Sequence, residues 1–147
     1  MPIANPVISL AEAKVMIAAA LAKGAELGLK PLTVVVLDHG GHMKAAERQD
    51  GASILRPQVA HGKAYGALCV GLGSRALHKR AEEQPYFVNA LNGLADGALV
   101  PVAGGALIRD SENHIIGAIG VTGDTSDNDE ACCIAAAEAA GFTADPG

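Results

Sequence analysis

The stretch HIIGAIGVTGDTSDNDEACCIAAAEAAG, residues 114–141, decides the fold. Residues 114–122 are apolar and rich in Ile and Val, as in a buried strand, and residues 123–126 have loop composition. Ser126 followed by Asp129 has the spacing of a helix cap, and Gly141 is a typical residue at a helix end. The stretch therefore predicts a strand, a loop and a helix over 127–140.

The segments before it predict two hairpins and more helices. Ser9 and Glu12 have capping-box spacing, which predicts a helix over Leu10–Leu27 ending at Gly28. Residues 33–37 and 42–48 predict strands joined by the turn at 38–41, and residues 106–109 predict a strand that pairs with 114–122. Helices are expected from Pro57 to about residue 70 and over 74–83, with one irregular helical turn in 86–97.

The order α-β-β-α-α-β-β-α predicts an α/β (α+β) domain over residues 1–147, with an antiparallel sheet of two hairpins flanked by helices. With 147 residues, the chain has the size of one domain. A formal charge of −5 with scattered basic residues argues against a nucleic-acid partner. The N-terminus does not resemble a signal peptide, and the apolar run 15–22 is too short to span a bilayer, so we expect a cytoplasmic protein with no membrane partner.

Several motif-like patterns have a simpler structural interpretation. The GLGSRA sequence at 71–76 follows a predicted helix, so it indicates a helix-to-helix turn and no dinucleotide site. His39 and His42 lack a third metal ligand, and the acidic residues of 124–130 suit the first turn of a helix. The three cysteines form no disulfide framework, and we expect buried, inert thiols.

A polar group is expected where a strand ends and a helix begins. Arg48 and Asp50 end the predicted second strand, and His61 and Lys63 lie on the following helix. The four residues either converge on a pocket or decorate a helix surface. Because His61 and Lys63 are two positions apart, at most one of them can point straight into a given pocket.

Two glycine-bearing loops border the second hairpin. Gly104 and Gly105 precede its first strand, and Gly123 follows its second strand and leads into a helix N-terminus. Free backbone amides at such places bind carboxylates or phosphates, although glycine also serves turns alone. We expect Gly104 and Gly105 to line the main pocket, so that Gly105→Val should impair ligand binding more than folding.

The chain resembles the GlcG/HbpS-like haem-binding family, which also includes the C-terminal domain of PduO. The blocks that carry the resemblance, in order, are SLAEA at 9–13, VLDHGGH at 36–42, RQDGA at 48–52, Lys63-Ala64, PVAGG at 101–105, GAIGVTG at 117–123 and DNDEA at 127–131. The resemblance implies a profilin-like α/β/α sandwich, assembly into homo-oligomers, and haem chemistry for some members. It assigns the axial haem ligand to no residue here.

Two functions remain open at this point. The first is binding of haem or a small carboxylate, with His61 as candidate axial ligand and with Arg48 or Lys63 pairing ligand carboxylates. The alternative is an isomerase, hydratase or lyase acting on a small oxo- or hydroxy-carboxylate. In that enzyme Arg48 and Lys63 would hold the substrate, the glycine loops would donate N–H groups, and His61, Asp127 or Glu130 would move a proton.

The predicted first and last helices suggest a homo-oligomer. Both are rich in Ala and apolar on more than one face, which exceeds what one side of a sheet in a single chain can cover. We therefore expect Leu10–Leu27 and residues 131–140 to be prominent in contacts between subunits.

Overall fold

The computed structural model describes residues 8–147, so the N-terminal segment on which the signal-peptide expectation rests lies outside the described residues. Within this range the chain forms five helices and five strands. In chain order they are α1 (Leu10–Leu27), β1 (Thr33–Asp38), β2 (Met43–Arg48), α2 (Arg56–Val70), α3 (Ser74–Glu83), α4 (Pro85–Leu94), β3 (Gly105–Arg109), β4 (Ile115–Thr122), α5 (Ser126–Ala139) and β5 (Thr143–Asp145). The predicted capping box of α1 and its left-handed Gly28 end are both present.

The five strands form one antiparallel sheet in the order β2-β1-β4-β3-β5. The two predicted hairpins, β1–β2 and β3–β4, are joined by the pairing of β1 with β4, in which Val35 lies opposite Gly120. The predicted mixed α/β class with an antiparallel sheet flanked by helices is therefore confirmed.

Two local predictions were wrong, and one strand was not predicted. Residues 86–97 contain most of a ten-residue helix, α4, where one irregular turn was expected. The strand β5 was missed because it has only three residues, yet it extends the sheet by pairing with β3. The cap of α5 is Thr125, whose hydroxyl accepts a hydrogen bond from the Asn128 amide, so the helix begins at Ser126.

Helices cover both faces of the sheet, as the periodicity of β1 requires. Val34 and Val36 belong to a core cluster shared with α1 and α5, whereas Val35 and Leu37 pack against α2 on the opposite face. Close approach of α2 to β4 depends on Gly120, because a Cβ there would lie 2.9 Å from the carbonyl carbon of Ala60. Small residues thus make up most of this packing in a chain that has no Trp and only two Phe and two Tyr.

Candidate functional site

A surface cleft of about 550 Å³ lies along the outer side of α2, between its N-terminal half, the start of β2 and the segment before β3. Its volume falls in the range of small-molecule sites, roughly 300–1,000 Å³. Most of its lining is apolar, with His61, Gln58 and Asp96 as the polar exceptions. The lining residues are Met43, Leu55, Pro57, Gln58, Val59, His61, Asp96, Gly97, Ala98 and Val100.

The inner wall of the cleft is fixed by Gly62. A Cβ at this position would lie 2.9 Å from the carbonyl oxygen of Ala98 and would collide with the side chain of Val100. The Gly62 carbonyl also accepts a hydrogen bond from the Val100 amide at 3.1 Å. This backbone contact holds segment 98–100 on α2, so that Ala98 and Val100 line the same cleft as His61.

His61 is half-buried and stacks on Tyr65, one helical turn further on, with ring centroids 5.3 Å apart and an interplanar angle of 17°. Met43 lies at the edge of the cleft and is 55% exposed. Leu55 lines the cleft at 62% exposure, and its neighbour Ile54 is 89% exposed. The cleft therefore combines one oriented imidazole with an exposed apolar rim.

Lys63 points to the opposite side of α2, into the interior. Its Nζ lies 3.1 Å from Asp129 Oδ2 and 3.0 Å from the carbonyl oxygen of Val121. The side chains of Lys63 and Asp129 are 4% and 2% exposed. The other carboxylate oxygen of Asp129 accepts a hydrogen bond from the Asp124 amide, so the pair connects α2, β4 and the start of α5. Asp129 therefore already pairs with the Lys63 ammonium group, which we expected to bind a ligand carboxylate.

The predicted glycine loops also pack inside the molecule. Gly104 has a φ of +114°, and a Cβ on it would lie 2.8 Å from Lys63 Nζ. A Cβ on Gly105 would lie 2.6 Å from the carbonyl carbon of Lys63. Gly123, with a φ of +146°, packs in the same way against Leu32. In residues 8–147 none of the three glycines lines the cleft. Because a Cβ at Gly105 would meet the Lys63 backbone, the expectation that Gly105→Val impairs ligand binding more than folding is not supported.

Arg48 and Asp50 lie at a different place, a polar groove of about 560 Å³ beside the end of α1. Both residues are exposed, and the Arg48 guanidinium donates to the carbonyl oxygen of Ala52 at 2.7 Å. Of the two alternatives left open for Arg48, Asp50, His61 and Lys63, convergence on one pocket does not occur within the single chain. The helix separates His61 from Lys63, and Arg48 lies beyond the helix start.

Asp127 and Glu130 are both paired to Arg75 on α3. The Arg75 Nε donates to Glu130 at 2.7 Å, and its second nitrogen pairs with Asp127. These carboxylates raise the pKa of Arg75, and the hydrogen bond that Arg75 donates to Glu130 contributes most. The two acids thus form an ion-pair link between α3 and α5, away from the residues that line the His61 cleft.

The cysteines only partly match expectation. Cys132 and Cys133 are buried, and burial raises the pKa of the Cys132 thiol to about 11 and that of Cys133 still further. Cys69 is exposed, contrary to prediction. Partial burial of its sulfur atom nevertheless raises the pKa of the Cys69 thiol. Among the described residues, no cluster of three His, Cys, Asp or Glu side chains could hold a metal ion.

Sequence reasoning missed the residues that shape the cleft, chiefly Gly62, Val100 and Asp96. A signal was present, because Gly62 and Gly66 lie four apart and mark one face of α2 as a surface for close packing. A Cβ on Gly66 would lie 3.2 Å from the Leu99 side chain, so the same face of α2 also packs against Leu99, the residue before Val100.

The family is decided by a match that covers most of the chain. A family model described as haem-degrading protein HbpS-like matches residues 8–138. The chain belongs to the HbpS-like family. A relative from Citrobacter freundii, an uncharacterized 15.0 kDa protein of the dhaT-dhaS intergenic region, is 32% identical over 122 residues, which are 83% of this chain and 84% of that protein.

Solved structures of the family share the fold. The Klebsiella pneumoniae protein ORFY superimposes with a TM-score of 0.81 and 26% identity, over 96% of this chain and 97% of that one. A complex of PduOC with haem has a TM-score of 0.80 at 22% identity, covering 90% and 94%. HbpS has a TM-score of 0.78 at 24% identity, covering 93% and 92%. In the described part of this HbpS-like chain, no helix is long and apolar enough to cross a membrane.

Proposed function

We propose that this HbpS-like protein binds haem in the cleft beside α2, with His61 as the axial ligand to iron. The observation that carries the proposal is a half-buried imidazole, stacked on Tyr65, that lines a mostly apolar cleft of about 550 Å³. Imidazole is the commonest protein ligand of haem iron, and a flat apolar macrocycle requires an apolar wall. The haem complex of the related PduOC supports the same ligand class.

The residues present fit haem in most respects. Leu55, Pro57 and Val100 offer apolar contact area, and the thioether of Met43 is another kind of side chain that can ligate haem iron. Within residues 8–147 the cleft lining contains no Lys or Arg. Lys63, paired with Asp129 inside the molecule, and Arg48, in the groove beside α1, would therefore not pair with the haem carboxylates. When bound, haem would supply an iron centre for redox or oxygen chemistry.

Haem titration followed by absorption tests the proposal. We expect a saturable Soret shift in the wild-type protein that is lost or strongly weakened in His61→Ala. His78→Ala is a matched control, because His78 is also half-exposed on a helix and pairs only with Glu82. Met43→Leu keeps an apolar side chain but removes the thioether, so loss of low-spin absorption bands in this variant would support Met43 as a second iron ligand. An unaltered Soret shift in His61→Ala would rule out His61 as ligand.

A further inference from the structure

We propose a second binding site, for a compact oxyanion such as a carboxylate or phosphate, formed by Thr33, Arg48, Arg56 and Thr122 at the N-terminal end of α2. The site goes beyond haem binding, because none of these four residues lines the His61 cleft. Thr33, Arg48 and Thr122 share one row of the sheet, Arg56 reaches Thr122 from the first turn of α2, and that turn has no side-chain cap. Guanidinium groups, hydroxyl groups and a helix N-terminus each favour negatively charged oxygen.

The sheet register brings three of the four residues into one row. Thr33 on β1 lies opposite Arg48 on β2 and opposite Thr122 on β4. Residues directly opposite one another in antiparallel strands project from the same face. Val35, two positions from Thr33, packs on α2, so the row lies on the α2 face of the sheet.

The fourth residue reaches this row from the first turn of α2. Arg56 is half-buried, and its guanidinium donates to the Thr122 hydroxyl at 2.8 Å. Arg48 forms the solvent-exposed end of the row. In the described part of the chain, no carboxylate lies within 4 Å of either guanidinium. Arginine forks of this kind pair with carboxylate and phosphate oxygens.

The Thr33 hydroxyl provides an independent indication of a ligand. Thr33 is 1% exposed, and its Oγ1 is the buried side-chain atom that has no hydrogen-bond partner among residues 8–147. A buried polar group without a partner is destabilising, and native proteins rarely retain one without a reason. Thr33 lies opposite both Arg48 and Thr122, so an anion bound at this row would supply the missing partner.

The start of α2 adds a favourable field. No side chain caps this 15-residue helix, and its first turn contains no acidic residue. By contrast, α1 has a capping box and α5 has a threonine cap with two acids in its first turn. The partial positive charge at the start of α2 is therefore left for a bound anion.

NMR titration of the ¹⁵N-labelled protein tests the site. Inorganic phosphate and acetate are added separately into the tens of millimolar, at constant pH and ionic strength. We expect saturable shifts of the Thr33, Thr122 and Gln58 amides with at least one anion, and the two arms distinguish phosphate from carboxylate. Failure of both anions to give saturable shifts at these amides would overturn the proposal.

Substitutions of the two arginines test how much each contributes to anion binding. Arg56→Gln and Arg48→Gln should each weaken binding roughly tenfold to a hundredfold, as expected for loss of a charge-assisted hydrogen bond. Arg80→Gln, an exposed arginine on α3, is the matched control and should leave the dissociation constant unchanged. Equal weakening in Arg80→Gln would mean that the anions only screen surface charge, and the site would be rejected.

Thr33→Val provides a test that does not depend on surface charge. Valine has nearly the same shape and suits a strand, so removing an unpartnered hydroxyl should keep or raise the unfolding temperature of the free protein. The same change should weaken anion binding. If Thr33→Val instead lowers the unfolding temperature and leaves binding intact, the hydroxyl has a structural role and the proposal fails. Haem binding by His61 should be unaffected by all four variants, so the two proposals can fail separately.

Discussion

Breaking the buried Lys63–Asp129 ion pair should have the largest effect on stability of any single charge removal in the described chain. Lys63→Met retains the length and apolar stem of the side chain but removes the charge and two hydrogen bonds, at 3.0 and 3.1 Å. Asp129, whose side chain is 2% exposed, is then left as an unpaired buried carboxylate. Removing one partner of such a pair costs about 3–5 kcal/mol. Domain stabilities are about 5–15 kcal/mol, so the loss is a large share of the total.

Urea unfolding at 25 °C in a double-mutant cycle measures the effect. Asp129→Asn keeps an oxygen for the Asp124 amide but leaves Lys63 charged and buried, so it should also be costly. The double variant should lose less than the sum of the single variants, by about 0.5–3 kcal/mol, because neither charge is then unpaired.

Lys79→Met is the control for the cycle. Lys79 and Glu83 lie 4.0 Å apart with 77% and 60% exposed side chains, and such surface pairs contribute about 0–1 kcal/mol. A Lys63→Met variant within 1 kcal/mol of wild type, or strictly additive single changes, would refute the reasoning.

Three further predictions concern packing, pH and assembly. Gly105→Ala should destabilise the fold by about 3 kcal/mol or prevent folding, because the new Cβ meets the Lys63 backbone. Gly93→Ala is the control and should be neutral or stabilising, because no atom lies within 4 Å of its Cβ. Thermal unfolding compares the two variants. Asn128, together with the Thr125 and Lys30 amides, lowers the pKa of Asp124 from 3.8 to about 2, so its stabilising contribution is present above pH 3.8 and is lost as pH falls through about 2. Carboxyl ¹³C titration should give this low midpoint in wild type and a higher one in Asn128→Ala, and an ordinary midpoint in wild type would contradict it. We also expect self-association, detected by sedimentation at micromolar concentration. A stable 14.8 kDa species would contradict that expectation.

Exposure within the chain suggests where such an assembly would form. Leu10, Val15 and Leu27 of α1 are 44–49% exposed, in line with the predicted role of the first helix. In residues 8–147, however, no large apolar side chain of α5 is strongly exposed, since its alanines and cysteines pack on α1 and the sheet. Ile54 and Leu55 are far more exposed, so Ile54→Ser with Leu55→Ser should weaken assembly more than changes in α5.

Local chemistry in the sequence was sufficient for most of the fold. The capping box of α1, the turn at 38–41 and the strand-loop-helix stretch at 114–141 each specify their own structure through neighbours in sequence. The pairing of β5 with β3 depends instead on contacts between residues about 36 positions apart, such as Arg109 with Asp145. A three-residue strand has no periodicity from which to predict such a pairing.

The candidate site was harder to predict because it depends on which way α2 faces. His61 and Lys63 are separated by about 200° around a helix of 3.6 residues per turn, but this spacing alone does not tell which of the two faces the sheet. Burial decides the orientation: Ala60, Lys63, Ala64 and Ala67 face the sheet, which turns His61 outward. The lysine within the apolar face of this helix requires a buried acid, and Asp129 provides it. If the charged side chain of α2 faces the sheet, Lys63 belongs to the core and His61 is the side chain available to a ligand.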